Sequence, residues 1–226
     1  MIIFGKQVVL YAIERHPDQI ETIFVAKELD KKLFSKLKSA RKPIERLDFK
    51  KAQALSKNQN HQGMLARIHD RLFAGREEAL SSDFAVMCVG LSDTGNIGAI
   101  VRTAYALGSQ AVVISGVKSV NLEAVIRTSG GAALTMPICL MPNAFESVEM
   151  FAQRGFLTIG GSLRGCDPKL FTVEKRKKLL IVGAEDDGIP KRLEARLDVL
   201  LAIPMAHGFN SLNVSAAAAI LIDRIR

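Results

Sequence analysis

The sequence predicts an α/β protein, with a small N-terminal α/β domain and a larger C-terminal α/β domain built on a parallel sheet. Short apolar runs alternate with helical patterns from residue 83 onward. Buried strands separated by helices are typical of a parallel sheet that is covered on both faces. In addition, the positive charge is concentrated in the first third of the chain, which indicates two modules with different tasks.

The N-terminal domain is predicted over residues 1–72 because helix and strand signals alternate there. The segments FGKQVVLYAIERH (4–16) and KLFSKLKSA (32–40) have helical apolar spacing, whereas ETIFVAKE (21–28) is typical of a strand. Residues 60–63, with the sequence NHQG, predict a turn before a short apolar strand. This domain is therefore expected to be a compact α/β unit.

The C-terminal domain is predicted over residues 83–226, after a polar linker at residues 73–82. Its strands are expected at five apolar runs: FAVMCVG (84–90), AVVIS (111–115), FLTIGG (156–161), KLLIVG (178–183) and DVLLAIP (198–204). Ligands of such sheets bind outside the carboxyl ends of the strands. The loops after Gly90, Gly183 and Ile203 are therefore where we expect the chemistry.

The net charge of +8 is unevenly distributed along the chain. Residues 1–75 contain fifteen Lys and Arg against eight Asp and Glu, whereas residues 76–226 contain sixteen against fifteen. A basic module beside a nearly neutral one indicates that the first third binds a polyanion. The basic run at residues 175–178, together with Arg164, is either a second phosphate contact or a solvated loop.

Several classes of protein are disfavoured by the sequence. No apolar run approaches the ~20 residues that cross a bilayer, and residues 5–7 interrupt the apolar start, so a cytoplasmic protein without membrane contact is expected. The three cysteines, Cys88, Cys139 and Cys166, lack CxxC spacing and are expected to be reduced and mostly buried. Neither a GxGxxG fingerprint nor a GxxxxGK[ST] phosphate loop occurs, which disfavours nicotinamide and nucleoside triphosphate enzymes.

The loop after the first predicted strand of the second domain leads into a helix. Asp93 or Thr94 is expected to begin this helix, and Gly95 and Gly98 suit a close backbone approach at its N-terminus. At 100° per residue, Arg102 lies about 140° from the centre of the apolar stripe. The Arg102 side chain is therefore expected to point away from the buried face.

The loop after the strand at residues 178–183 is acidic. Glu185, Asp186 and Asp187 are adjacent carboxylates, but no second cluster of ligands is spaced to complete a metal coordination sphere. We therefore expect no metal, and an acidic turn that holds a helix N-terminus is the simpler interpretation.

The loop after Ile203 runs into a C-terminal helix rich in small residues. Ser211 and Ser215 are four residues apart, and the sequence predicts that they share a helical face. Ser211 lacks a GxSxG elbow, which disfavours a serine hydrolase. His207 is a candidate base, although a lone loop histidine is more often incidental.

In this order, the three loops resemble the three motifs of the SpoU (TrmH-type) branch of the SPOUT RNA methyltransferases. The matching segments are NIGAIVRTA (96–104), GAEDDG (183–188), and IPM (203–205) followed by SLNVS (211–215), and SGGA (129–132) is similar to a further family feature. The first 70 residues resemble, more loosely, the ribosomal-protein-like substrate-binding domain of the ribosomal RNA members. The sequence departs from the family at His207, where the pattern usually has glycine.

The resemblance implies an S-adenosylmethionine-dependent methyltransferase that acts on a ribose 2′-hydroxyl of RNA. It further implies a C-terminal trefoil knot that forms the cofactor pocket, and a homodimer through the knot region. The basic N-terminal module favours ribosomal RNA over transfer RNA. The resemblance to the ribosomal RNA members, which often modify guanosine, implies 23S rRNA with guanosine as a possible nucleoside. A tRNA 2′-O-ribose methyltransferase and a non-catalytic RNA-binding protein remain as alternatives. A conventional Rossmann methyltransferase is disfavoured, because it would need a glycine-rich loop after its first strand and an acidic residue at the end of the second, and neither is present.

The resemblance also implies which residues act. The catalytic set is Arg102, Asn96, Glu185, Ser211 and Asn213. The cofactor-binding set is Gly183, Glu185, Gly188, Ile203, Met205, Ser211, Leu212 and Asn213. An arginine with solvent access stays protonated, so Arg102 is expected to stabilise an alkoxide or to hold a phosphate, since it cannot accept a proton.

Overall fold

The computed structural model describes residues 1–172, 176–184, 187–207 and 211–226. Within these ranges the chain folds into two compact units. Unit 1 contains residues 1–72 and 121–135, and unit 2 contains residues 73–120 and 136–226. A segment from the middle of the chain therefore packs with the N-terminal residues, while the predicted domain limits stay a prediction.

The described ranges contain ten strands and nine α-helices. The strands are β1 (Ile2–Phe4), β2 (Ile20–Val25), β3 (Ile44–Arg46), β4 (Met64–Ile68), β5 (Phe84–Val89), β6 (Ala111–Ser115), β7 (Ile138–Met141), β8 (Leu157–Cys166), β9 (Lys178–Gly183) and β10 (Val199–Leu201). The helices are α1 (Lys6–Arg15), α2 (Lys31–Ser39), α3 (Phe49–Leu55), α4 (Arg76–Leu80), α5 (Thr94–Ala106), α6 (Leu122–Thr128), α7 (Ala144–Gln153), α8 (Lys191–Glu194) and α9 (Val214–Ile225). Of these helices, none is long and apolar enough to cross a membrane.

Unit 1 is built on a four-stranded sheet in the order β1-β4-β2-β3. Strand β4 is antiparallel to β1 and β2, whereas β3 is parallel to β2 and forms an edge. The predicted helix, strand and helix of the first 40 residues correspond to α1, β2 and α2. Residues 121–135 add α6 to this unit, where the hydroxyls of Tyr11 and Thr135 are 2.7 Å apart.

Unit 2 contains the predicted parallel sheet, with six strands in the order β10-β8-β9-β5-β6-β7. Every adjacent pair is parallel. All six residues of the central strand β5 are buried, which explains its continuous apolar sequence. The five predicted strands are confirmed, and the C-terminal part of β8 extends beyond its apolar run. Strand β7 was not predicted because its four residues lie between two prolines.

Three local expectations need correction. The segment predicted as a polar linker contains the short helix α4, whose Ala79 and Leu80 are buried. Helix α9 begins at Val214, so Ser211 precedes it and does not share a helical face with Ser215. Periodicity alone could not reveal either boundary, because both depend on where capping residues and tertiary contacts start a helix. The third correction concerns a cysteine.

The cysteines follow the expectation at two of three positions. Burial raises the pKa of the Cys88 thiol to about 12, and burial is also the main cause that raises the pKa of Cys139 to about 11. These two thiols stay protonated near neutral pH and act as small apolar side chains. Cys166 is exposed at the end of β8, contrary to the expectation of burial.

Candidate active site

The first motif lies at the start of α5, directly after β5. The Asp93 carboxylate caps this helix and accepts a hydrogen bond from the backbone nitrogen of Asn96 at 2.7 Å. A Cβ at Gly95 would lie 2.9 Å from the Asp93 Oδ1 atom, so glycine permits this close approach. Arg102 is exposed further along α5, as its angular position predicts. Among the described residues, none forms a hydrogen bond or ion pair with the Arg102 side chain.

A side-chain hydrogen bond joins the first and third motifs. The Asn213 Nδ2 atom donates to the Asn96 Oδ1 atom at 3.0 Å, although the two residues are 117 positions apart. Asn213 also caps α9, because its Oδ1 atom accepts from the Ser215 backbone nitrogen at 2.9 Å and from the Ser215 hydroxyl at 2.6 Å. The Ser215 hydroxyl thereby orients the Asn213 amide towards Asn96. Sequence reasoning missed this role of Ser215, although its position two residues after a helix cap is the signal.

Replacing Asn213 with serine separates its two tasks. Serine caps a helix about as well as asparagine, but its side chain is too short to reach Asn96. We expect the free energy of unfolding to change by no more than about 1.5 kcal/mol, the usual net worth of one hydrogen bond. The methyl transfer that the resemblance implies is expected to slow about tenfold, because the two motifs lose their alignment. Urea unfolding and initial rates check this, and an unchanged rate would show that the bridge does not align the site.

The described residues of the second motif bring the chain back on itself after β9, because Ala184 pairs with Gly188. Gly183 pairs with Val89 of β5, so this turn lies at the same sheet edge as the start of α5. A Cβ at Gly183 would lie 2.0 Å from the Gly188 carbonyl carbon, and the Gly188 nitrogen donates to the Ala184 oxygen at 2.8 Å. Gly188 has φ 63°, a left-handed conformation that favours glycine. The proposed site residue Glu185 lies outside the described residues, together with Asp186.

The third loop places apolar side chains partly in solvent. Ile203, Met205 and Leu212 are half-buried, whereas Ser211 is exposed. His207 has φ 56°, so the backbone is left-handed where the family pattern usually has glycine. His207 therefore keeps the backbone conformation that glycine adopts easily, although its side chain departs from the family pattern.

Position 207 offers a second test. Replacing His207 with glycine relieves the left-handed strain but also raises the entropy of the unfolded chain, so we expect stability to stay within about 1 kcal/mol of the wild type. Replacing His207 with valine is expected to cost about 1–3 kcal/mol, because a β-branched residue is poorly tolerated at positive φ. Thermal unfolding of both variants checks this. Equal stability of the two variants would contradict the strain argument.

Three of the basic side chains considered for phosphate binding have partners among the described residues. Arg164 forms an ion pair with the buried carboxylate of Glu194. Lys178 donates to a backbone carbonyl of α9 at 2.7 Å, and burial lowers the pKa of its ammonium group. Lys177 lies 3.9 Å from an aspartate carboxylate, and Lys175 lies outside the described residues. These contacts favour a structural role for Arg164 and Lys178.

Among the described residues, the structure brings two pairs of the proposed site residues into direct contact. Asn96 meets Asn213 through a hydrogen bond, and Gly183 meets Gly188 through the backbone turn. The described part of the chain contains no group of three or more metal-binding side chains. Polar amides, glycine turns and an exposed guanidinium therefore define a site suited to positioning and charge stabilisation.

Two family models match this chain. The model described as the SpoU rRNA Methylase family matches residues 83–223, and a model described as RNA 2′-O ribose methyltransferase substrate binding matches residues 2–72. The first match covers more than half of the chain, and the chain therefore belongs to the SpoU rRNA methylase family. It is an S-adenosylmethionine-dependent RNA 2′-O-ribose methyltransferase, as the resemblance implied.

Individual relatives agree with this family. The 23S rRNA (guanosine-2′-O-)-methyltransferase RlmB of Escherichia coli strain K12 is 28% identical over 238 residues, which cover 100% of this chain and 98% of the relative. The SpoU methyltransferase AviRb of Streptomyces viridochromogenes, solved with AdoMet, has a TM-score of 0.78 at 23% identity and covers 100% of this chain and 88% of AviRb. The TrmH/SpoU tRNA modifying enzyme of A. aeolicus has a TM-score of 0.56 at 24% identity, and the match covers 66% of this chain and 78% of that one.

Proposed function

We propose that this protein methylates the 2′-hydroxyl of a guanosine in 23S rRNA. Relatives with that printed activity align over the whole chain, including residues 2–72, whereas the likeness to a tRNA enzyme covers two thirds of it. The observation that carries the catalytic proposal is the Asn213–Asn96 hydrogen bond. This bond joins the third motif to α5, the helix that also carries Arg102. Transfer RNA is the second candidate substrate.

The residues of the second and third motifs fit the cofactor. Gly183 and Gly188 bring backbone close together, and no described atom lies within 4 Å of where a Cβ at Gly188 would stand. Half-buried Ile203, Met205 and Leu212 offer apolar surface for an adenosine or a methionine chain. The proposed set that holds the cofactor is Gly183, Glu185, Gly188, Ile203, Met205, Ser211, Leu212 and Asn213. When bound, S-adenosylmethionine supplies an electrophilic methyl group with its leaving group attached.

The protein's own task is to align the ribose hydroxyl and to stabilise its developing negative charge. Alignment alone is worth on the order of 7–11 kcal/mol in well-oriented reactions. The Arg102 guanidinium remains protonated, so it acts as a donor and cation towards the oxygen or the adjacent phosphate. Asn96 orients Arg102 or the RNA backbone, and Glu185 holds the first and third motif loops together through their amides. Ser211 and Asn213 fix the substrate side of the pocket.

The domain roles and the assembly complete the proposal. Residues 1–72 bind RNA, and residues 83–226 form the methyltransferase domain with a trefoil knot. Residues 73–82 link the two domains. The protein works as a cytoplasmic homodimer through the knot region, and the 44% exposed side chain of Ile220 on α9 supports an apolar contact there. Light scattering of the wild type and of Ile220→Asp tests the dimer, and a monomeric wild type would reject it.

Nucleoside mass spectrometry tests the reaction and the substrate together. Ribosomal and transfer RNA are compared between cells with and without the gene, after separation of the two pools. We expect one 2′-O-methylguanosine to disappear from 23S rRNA and to return when the gene is restored. Loss from transfer RNA instead would establish the second candidate, and unchanged methylation in both pools would favour a non-catalytic RNA-binding protein.

A further inference from the structure

The net positive charge of residues 1–72 comes from one stretch of the chain. Residues 27–57 contain eleven Lys and Arg against four Asp and Glu, whereas the remainder of residues 1–72 contains four of each. This stretch, which we call the basic segment, comprises α2, the edge strand β3 and α3. Ten of its eleven cations are exposed. The basic segment is therefore the part of unit 1 that attracts a polyanion.

Two exposed phenylalanines interrupt the lysines of the basic segment. The Phe34 side chain is 39% exposed, and the Lys38 ammonium lies 5.0 Å from its ring centroid. The Phe49 side chain is 66% exposed, and its ring lies 5.9 Å from the His61 ring at an angle of 50°. An aromatic ring left in water among cations is typical of surfaces that bind single-stranded nucleic acid.

The neighbours of Phe49 are held in place before any ligand binds. His61 is 5% exposed, and its Nδ1 atom accepts from the Gly63 nitrogen at 3.0 Å. Gly63 has φ 78°, and the Lys27 stem packs so closely that a Cβ at Gly63 would lie 2.3 Å from the Lys27 Cγ atom. The Asp48 carboxylate caps α3 at the residue before Phe49. Binding to Phe49 therefore requires little ordering of the protein.

From this geometry, and given the proposed RNA substrate, we propose that the Phe49 ring stacks on an unpaired base of that RNA. The exposed ammonium groups of Lys27 and Lys50 provide cations for the adjoining phosphates. A base within a duplex has both faces covered, so the partner is a loop, bulge or strand end, where aromatic side chains bind RNA bases. This assigns substrate recognition to the start of α3.

Steady-state kinetics with three substitutions at Phe49 test the stacking. The substrate is total rRNA from cells that lack the gene, and the variants are Phe49→Ala, Phe49→Leu and Phe49→Trp. Stacking of one base corresponds to about 5- to 150-fold in affinity, so alanine and leucine should raise KM by that factor and leave kcat unchanged. Tryptophan should retain the wild-type KM, because it keeps an aromatic face.

Two controls make the result specific. Leu163→Ala is the control, since the Leu163 side chain is apolar and 67% exposed but lies outside the basic segment, and we expect its KM to stay within about threefold of the wild type. Photo-crosslinking with rRNA that contains 4-thiouridine should attach a nucleotide to Phe49. Thermal unfolding of each variant confirms that the fold is intact.

The outcomes separate this inference from the proposed function. If Phe49→Leu behaves like the wild type while alanine does not, an apolar contact with the RNA that needs no aromatic face replaces the stacking. An unchanged KM in all variants rejects any contact between Phe49 and the RNA. If the wild type methylates no rRNA, the proposed function fails. The same Phe49 series is then measured as a dissociation constant for that rRNA, and retained binding by the alanine variant rejects the inference.

Discussion

Replacing Arg102 with alanine is expected to lower kcat for methyl transfer by about 100- to 1000-fold, the usual effect of removing one donor to a developing oxyanion. The free energy of unfolding should stay within about 0.5 kcal/mol of the wild type, because the Arg102 side chain is exposed. Arg102→Lys should recover only part of the rate, since an ammonium group lacks the planar, forked donors of a guanidinium. Single-turnover kinetics and urea unfolding measure both quantities.

The matched control for this substitution is Arg154→Ala. Arg154 is an exposed arginine of unit 2 that pairs with Glu77 at 3.1 Å, and such surface pairs contribute about 0–1 kcal/mol. We expect Arg154→Ala to leave kcat unchanged. A wild-type rate for Arg102→Ala would reject Arg102 as the catalytic residue and would point to Glu185 or Ser211 instead.

Adding one methyl group at Gly183 is expected to have the second large effect. The Cβ of Gly183→Ala would lie 2.0 Å from the Gly188 carbonyl carbon, so the turn after β9 must move its backbone. Overpacking of this kind costs about 1–3 kcal/mol or more, and the displaced turn should abolish measurable S-adenosylmethionine binding. Thermal unfolding and titration calorimetry with S-adenosylmethionine check the two effects.

Gly75→Ala is the control for this substitution. Gly75 has φ −68°, and no described atom lies within 4 Å of the position of an added Cβ. The free energy of unfolding of Gly75→Ala should therefore stay within about 1 kcal/mol of the wild type, and its affinity for the cofactor should be unchanged. If Gly183→Ala binds the cofactor as tightly as the wild type, the turn after β9 is not part of the cofactor pocket.

The strands of unit 2 were predictable because burial on both faces demands continuous apolar runs. The run KLLIVG corresponds to β9 at both ends, and AVVIS corresponds to β6. Strand β7 was missed because its four residues lie between two prolines, and helix α4 was missed because five residues give too short a helical pattern to separate from a loop. Their existence depends on packing with neighbouring elements.

Some features of the candidate site could likewise be predicted from the sequence, and others could not. The order of the three loops was readable from the chain, and Arg102 was correctly placed on an outward face because helical geometry fixes that angle. The hydrogen bond between Asn96 and Asn213 was not readable, because no local pattern relates residues 117 positions apart. The same holds for the ion pair between Arg164 and Glu194, which are 30 positions apart in the sequence.

The sequence by itself determined the fold class, the parallel strands, the three loops and the family resemblance, because local periodicity and motif spacing are properties of the chain. Tertiary structure alone decided three further features. It joined residues 121–135 to unit 1, brought Asn213 against Asn96, and left the Phe49 ring exposed beside His61. Each depends on contacts between residues distant in sequence, and chain folding is what brings their atoms within hydrogen-bonding or van der Waals distance.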